Sequence, residues 1–300
     1  MKIGIDLGGS HISIGVVDKD GKILDKRDKH LRGIAKRLIK PTIEETIISN
    51  IKEYQKNYKI TEIGIAVPGS VKNDKILKSV NLGLKDYDLV GVIKKEIDLP
   101  IKIRNDAKCA ALAESKYGAL KKYNRVLFMT LGTGIGGAVI INGKLLDAGE
   151  YPGCEFGHMV IKENGLECNC GRKGCFEKYG SMRAFKDNLR NELGLEDKTS
   201  GKELMAILKN TTKESKDYAK IEKVRKQYIR DLSVGITNLV NIFEPEAIGI
   251  GGSFVYFSEV LLDDIKELII KENMLFNSRK EINIQTAVLG NEAGIIGAIL

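Results

Sequence analysis

Residues 126–141 read VLFMTLGTGIGGAVII, and residues 5–17 read IDLGGSHISIGVV. Each is an apolar strand, a glycine turn and a second apolar strand. The short turn points to a hairpin and not to a strand-to-helix phosphate loop. Laid over one another, the two stretches set Asp6 opposite Thr130 and Gly8 opposite Gly132. Units of this kind repeated about 120 residues apart predict two related α/β halves. Glycine turns also let backbone N–H groups approach a phosphate closely. Taken alone, a GG hairpin says little, because most such turns bind nothing. Two turns aimed at one polyphosphate are far more specific. EAIGIGGSF at 246–254 repeats the strand-then-glycine theme, and its glycines suit a flat ring lying against the backbone.

A second stretch carries chemistry of another kind. Residues 155–177 read EFGHMVIKENGLECNCGRKGCFE and hold three of the five cysteines, Cys168, Cys170 and Cys175, together with His158. The spacing is H-x9-C-x-C-x4-C. Three thiolates and one imidazole suit a tetrahedral zinc ion, and four protein ligands make a closed, structural site. Gly165, Gly171 and Gly174 let the backbone converge on one ion. An ordinary packing role for these cysteines fits poorly with so hydrophilic a segment. Disulfides are not expected either, since no signal peptide precedes the chain and a reducing cytoplasm is predicted. Cys109, in the apolar run DAKCAALAE, and Cys154 read as isolated buried thiols. A metal on one ring nitrogen of His158 fixes the orientation of the other, which then faces a ligand with Glu155 beside it.

Between the hairpins the pattern gives a third strand over 22–27 and a basic, irregular stretch over 28–40. A helix starting at Pro41 follows, then strand TEIGIAV, a turn at Pro68-Gly69 and a loop SVNLG at 79–83. Asn105-Asp106 opens a helix reaching Gly118. Both residue types favour helix caps, and a carboxylate at the carboxyl end of a central strand is also where α/β folds hold ligands. The two readings are compatible. Beyond the cysteine loop, helices are predicted over 180–194, 200–210 and 213–243, another to about Lys271, and a last one over 292–300. INIQTAV is the final strand.

Hydrophobic residues make up 43% of the 300 positions, enough for ordinary cores. No run approaches the roughly 20 apolar residues that span a bilayer. The net charge of +8 raises the question of nucleic acid. The lysines, however, mix with acids in DLVGVIKKEID and KIEKVRKQYIRD, which reads as a solvated surface that attracts anionic substrates.

With DLGGS at 6–10, NDA at 105–107, LGTGIGG at 131–137, EFGH at 155–158 and CNCGRKGCFE at 168–177, the sequence resembles the ROK family of sugar kinases, in the actin/hexokinase-like ATPase superfamily. The resemblance implies an α/β protein of two ribonuclease-H-like domains, 1–117 with 290–300 and 118–289, closing on an interdomain cleft. A zinc-stabilised loop belongs to the second domain. It implies ATP-dependent phosphorylation of a hexose at the 6-hydroxyl, with glucose favoured and N-acetylmannosamine or N-acetylglucosamine as alternatives. Asp106 is then the catalytic base. Gly69, Asn81, Asn105, Glu155, His158 and Glu177 hold the sugar with it. Asp6 meets Mg2+, while Gly8, Gly9, Ser10, Thr130, Gly132, Thr133 and Gly134 cradle the phosphates of ATP. Gly251, Gly252 and Ser253 border the adenosine, and His158, Cys168, Cys170 and Cys175 bind Zn2+. The family also contains sugar-responsive repressors, which carry a DNA-binding module ahead of the first glycine motif. With that motif at Asp6, no such module and no nucleic-acid partner are expected; the resemblance implies a homodimeric kinase, expected in the cytoplasm with no membrane partner. Ser10-His11 departs from the family's usual threonine followed by lysine or asparagine. Ser10 keeps a hydroxyl for phosphate, whereas His11 leaves the side-chain contact at that position open.

Overall fold

Along β1 (Lys2–Leu7), Ile3, Ile5 and Leu7 are fully buried and alternate with Gly4 and Asp6, so the two faces of the strand meet different layers. The computed structural model describes residues 1–146, 153–276 and 281–300. It divides the chain into two compact units, built mainly on Met1–Lys121 with Val288–Leu300 and on Lys122–Asn142 with Cys154–Ala287.

In the first unit β1 joins β2 (His11–Val17), β3 (Ile23–His30), β4 (Glu62–Val67) and, later in the chain, Ile101–Asn105 in one sheet. Its order is β3-β2-β1-β4 and then Ile101–Asn105. The β1–β2 and β2–β3 pairs are antiparallel, whereas β1–β4 and β4 with Ile101–Asn105 are parallel. The isoleucine face packs on α1 (Lys36–Asn57) through Ile43, Ile47, Ile51 and Tyr54. The opposite face is bare at two positions. A Cβ on Gly4 would stand 2.0 Å from the carbonyl oxygen of Ile295, and one on Gly64 would stand 1.9 Å from that of Ala298. The C-terminal helix Ala293–Ala298 therefore lies directly on the sheet backbone. A small antiparallel sheet of β5 (Ser70–Lys72), β6 (Lys75–Ser79) and β7 (Leu84–Tyr87) follows β4. The short helix α2 (Leu89–Lys94), capped by Asp88, then leads into Ile101–Asn105, labelled β8, and α3 (Asp106–Lys116).

The second unit repeats this layout. β9 (Arg125–Leu131) and β10 (Ile135–Ile141) form the hairpin, and strand Ala247–Gly251 runs parallel to β9, followed by Ile284–Thr286. The repeat read from the two glycine hairpins is thus present in strand order and direction. Its core joins Leu127, Met129 and Ile250 of the sheet to Phe185, Leu232 and Ile236 from the helices and to Phe176, just before the first of them. These helices are α4 (Glu177–Gly180), α5 (Met182–Leu193), α6 (Gly201–Asn210), α7 (Tyr218–Phe243) and α8 (Ser258–Lys271). Among the described residues no helix is long and apolar enough to cross a membrane.

Several expectations are corrected. The third strand runs on to His30, because Ser13, Ile12 and His11 continue to pair with Asp28, Lys29 and His30. Pro41 does not start α1 but lies inside it. The helix begins at Lys36, and proline removes one N–H bond near an end that already lacks a side-chain cap. The sheet β5–β7 was not expected, since its strands are short and rich in lysine. Cys154 is half-buried with φ +65°, not a buried core thiol, whereas Cys109 is fully buried as expected.

Candidate active site and metal centre

In the first unit the predicted residues gather at the carboxyl ends of three parallel strands, where α/β sheets hold ligands. Asp6 is the last residue but one of β1 and the Cα partner of Ala66 on β4. A Cβ on Gly294 of the C-terminal helix would stand 2.5 Å from its Cγ. Burial pushes Asp6 up to about 6 from an ordinary 3.8, with Lys26 pulling the other way. The turn after it closes through a bond from the Gly8 N–H to the His11 carbonyl, 2.9 Å. A Cβ on Gly9 would meet Asn81 at 3.0 Å, which puts the loop over 79–83 against the turn.

Gly69, beyond the end of β4, has φ +107°, and a Cβ there would stand 2.1 Å from the Lys78 carbonyl oxygen. Only glycine fits. Its own carbonyl accepts from Asn105 Nδ2 at 3.0 Å. Asn105 caps α3 by accepting the Lys108 N–H at 3.2 Å, and the same Nδ2 donates to Asp106 Oδ1 at 3.0 Å. The Ala107 N–H also donates to Oδ1, at 2.8 Å. One oxygen of Asp106 is thus tied down twice and Oδ2 is left for a ligand. Burial pushes this carboxyl up to about 6, against the Ala107 N–H, and the charge of Asp6 adds to the rise. The cap reading holds for Asn105, which accepts the Lys108 N–H at the start of α3.

Sequence reasoning missed a polar row beside Asp6. Ser13, Asp6's partner across β1–β2, is 2% exposed and its hydroxyl donates to Asp28, its partner across β2–β3. Lys26 Nζ lies 3.5 Å from Asp28 Oδ2. Strand alternation places all of these on one face, although the run of charges beyond Arg27 hides the alternation in the sequence. Also missed was Glu114, fully buried on α3. Its carboxylate accepts backbone N–H groups from Ala119 at 2.8 Å, Val288 at 2.9 Å and Leu289 at 2.8 Å.

In the second unit the β9–β10 turn is braced from two sides. The Arg183 N–H donates to the Gly132 carbonyl at 3.0 Å, and the Ile135 N–H donates to Glu177 Oε2 at 2.9 Å. A Cβ on Gly134 would stand 2.2 Å from that oxygen. Glu177 is therefore partly committed to the glycine turn. Thr130 pairs with Gly251 across β9, and Gly252, at φ +74°, leaves no room for a Cβ against the Leu131 carbonyl, 2.7 Å away. Gly251 and Gly252 thus lie against the end of β9, just before the turn.

The loop over 155–177 folds around its cysteines. Buried Phe156 packs where a Cβ on Gly137 would meet its ring at 2.0 Å, anchoring the exposed Glu155 and half-buried His158 at either end of a short turn. His158 Nδ1 lies 3.7 Å from Cys168 Sγ, and Cys170 Sγ lies 3.6 Å from Cys175 Sγ. The four ligand atoms all fall within 4.8 Å of one another. The backbone N–H and side chain of Arg172 pull the Cys170 thiol down to about 6, whereas burial pushes Cys175 up to about 12. Gly171 and Gly174 take φ +90° and +77° as the turns require. Gly165 serves differently, through close approach to the Tyr179 hydroxyl. With Nδ1 aimed at the sulfurs, Nε2 of His158 is the nitrogen available to a ligand. The surface grooves beside α7 and α8 contain none of these residues, and the one between β2–β3 and α1 includes only Asp28.

A duplicated mixed sheet with glycine hairpins and a clustered Cys/His set defines an α/β protein of two related units. The sequence pattern of the ROK family matches residues 2–300, and the chain belongs to that family. It is 29% identical over 315 residues to a glucokinase of Streptomyces coelicolor, covering 99% of this chain and 96% of that one. It is 32% identical over 266 residues to a xylose repressor of Bacillus spizizenii, covering 88% of this chain and 67% of the repressor. Among solved structures it resembles a ROK glucokinase from Streptomyces griseus in complex with glucose and AMPPNP. That likeness has a TM-score of 0.80 and 28% identity, covering 99% and 97% of the two chains.

Proposed function

We propose that the protein is an ATP-dependent sugar kinase that phosphorylates the 6-hydroxyl of a hexose, glucose first, with Asp106 as general base. The observation that carries this reading is the state of Asp106: Oδ1 held by Asn105 and Ala107, Oδ2 free, and burial raising its pKa to about 6. A base works best with a pKa near the working pH. At neutral pH such a carboxylate is mostly ionised and still accepts a proton readily. Oδ2 takes the hydroxyl proton as the sugar oxygen forms its bond to the γ-phosphorus and the bond to the leaving ADP oxygen breaks.

Asn105, Gly69 and Asn81 hold the sugar from the first unit, and Glu155, His158 and Glu177 from the second. Carboxylates suit a polyol because each accepts from several hydroxyls. One oxygen of Glu177 also orders the second glycine turn, so sugar and phosphate positions are set by the same side chain. The two hairpin turns, including Ser10, Thr130 and Thr133, receive the phosphates, and Gly251 to Ser253 border the adenosine. Asp6 is the residue for Mg2+, which neutralises phosphate charge when bound. The Cys168, Cys170, Cys175 and His158 set fits Zn2+ in donor type and in convergence, and the ion would fix the imidazole that faces the sugar.

The similarity to a xylose repressor supports a second reading, a sugar-responsive regulator without turnover. A panel of glucose, mannose, N-acetylmannosamine and N-acetylglucosamine with ATP, followed by ADP release, separates the two. Sugar-dependent release supports the kinase, and sugar binding with no release on any of the four supports the regulator.

A further inference from the structure

The first glycine turn is flanked by two of the chain's three histidines. His11 begins β2, and the register sets it opposite His30, the last residue of β3. Opposed residues of an antiparallel pair project to one face with Cβ atoms about 5 Å apart, so the two side chains leave the sheet on the same side. The His11 ring lies over the turn itself. A Cβ on Gly8 would stand 3.3 Å from its Cε1, and its Nδ1 is 3.3 Å from Ser10 Oγ. The Leu31 N–H donates to the Ser10 carbonyl at 2.8 Å, which fastens the end of β3 to the same turn. His11 is half-buried and His30 exposed.

We infer that His11, backed by His30, is a phosphate-binding group of the nucleotide turn, and that its charge sets the affinity for ATP. This rests on the reading that residues 8–10 receive a phosphate. With Nδ1 beside the Ser10 hydroxyl, Nε2 is free to donate to an oxyanion. A protonated ring brings a charge-assisted hydrogen bond, roughly twice as strong as a neutral one. Histidine is the side chain whose charge changes between about pH 5 and 8. The neighbouring charges are few. Asp28, two residues before His30 on the same face, is engaged by Ser13 and Lys26. Asp6 lies one row further along on β1, Arg32 follows His30 in the chain, and Asn81 beside Gly9 is uncharged.

The test is the dissociation constant of ATP with magnesium, without sugar, measured by calorimetry near pH 6 and near pH 8. The proteins are wild type, His11→Gln, His30→Gln and His11→Lys. Protonation of Asp6 and of the nucleotide itself affects all of them, so the ratio of variant to wild type isolates the imidazole. His11→Gln should weaken binding about fivefold at the lower pH, the difference between a charged and a neutral hydrogen bond, and less than about twofold at the higher. His30→Gln should give a smaller loss in the same direction. His11→Lys should bind at least as tightly as wild type at the higher pH. An unchanged sugar affinity checks that each variant is folded. A His11→Gln ratio that is the same at both pH values overturns this inference alone. Failure of the wild type to bind ATP overturns the kinase reading and this one with it.

Discussion

Replacing Glu114 by alanine strips the acceptor from three backbone donors at once. Its carboxylate takes the N–H groups of Ala119, Val288 and Leu289 at 2.8, 2.9 and 2.8 Å, and the residue is 0% exposed. Each buried N–H left without a partner costs about 1–3 kcal/mol. Some relief comes from water entering the vacated volume, so the loss should be about 3–5 kcal/mol in all. That corresponds to a fall in Tm of roughly 10 °C for a unit of this size. Glu114→Gln should lose less, since its amide keeps one acceptor but turns a donor toward one of the N–H groups. The consequence reaches Asp6. Val288 and Leu289 lead into the C-terminal helix, whose Gly294 backbone lies against the Asp6 side chain. Thermal unfolding by circular dichroism, with ATP affinity measured well below the new Tm, reads both effects. A loss smaller than about 1 kcal/mol would refute the reasoning, because it is less than one orphaned donor should cost.

Gly174→Ala forces a left-handed residue to carry a Cβ 1.7 Å from the Lys162 carbonyl oxygen, so the cysteine loop must open. Zinc content by atomic absorption should fall with sugar affinity, while full zinc loading in the variant would contradict the described loop. The pH profile of kcat/KM should rise through about 6 as Asp106 ionises, with activity lost below that value. Stability should move the other way. Asp6 and Asp106 titrate above their ordinary 3.8, so between 3.8 and about 6 the folded chain holds protons the unfolded chain has released, and stability falls as pH rises through that window. Urea titrations across the window check the sign.

The two hairpins were legible because strand, glycine and strand recur with the same spacing, and their partner strands follow from the shared topology. The Cys/His cluster was legible because three cysteines and a histidine within a short glycine-rich loop have few other uses. The rest depended on neighbours distant in sequence. Glu114 looks like any helix glutamate until the chain returns at Val288, about 170 residues later in chain order. The Ser13–Asp28 bond requires β3 to extend past Arg27, where a run of charges hides the alternation. Glu177 read as a sugar ligand, and only the fold reveals that its carboxylate also holds the Ile135 N–H. The strands β5–β7 lacked apolar periodicity, because β5 is half-buried throughout and β7 carries two charges.

The most direct measurement is sugar-dependent ADP release by Asp106→Asn beside the wild type, with sugar affinity determined on both. A carboxamide keeps the shape and accepts at Oδ1 but cannot take the hydroxyl proton. Turnover should therefore fall by about 100-fold to 10,000-fold, the range for loss of a general base, while sugar affinity changes little. Turnover within about tenfold of the wild type would contradict the account, because the proton would then be leaving by a route that does not need Asp106.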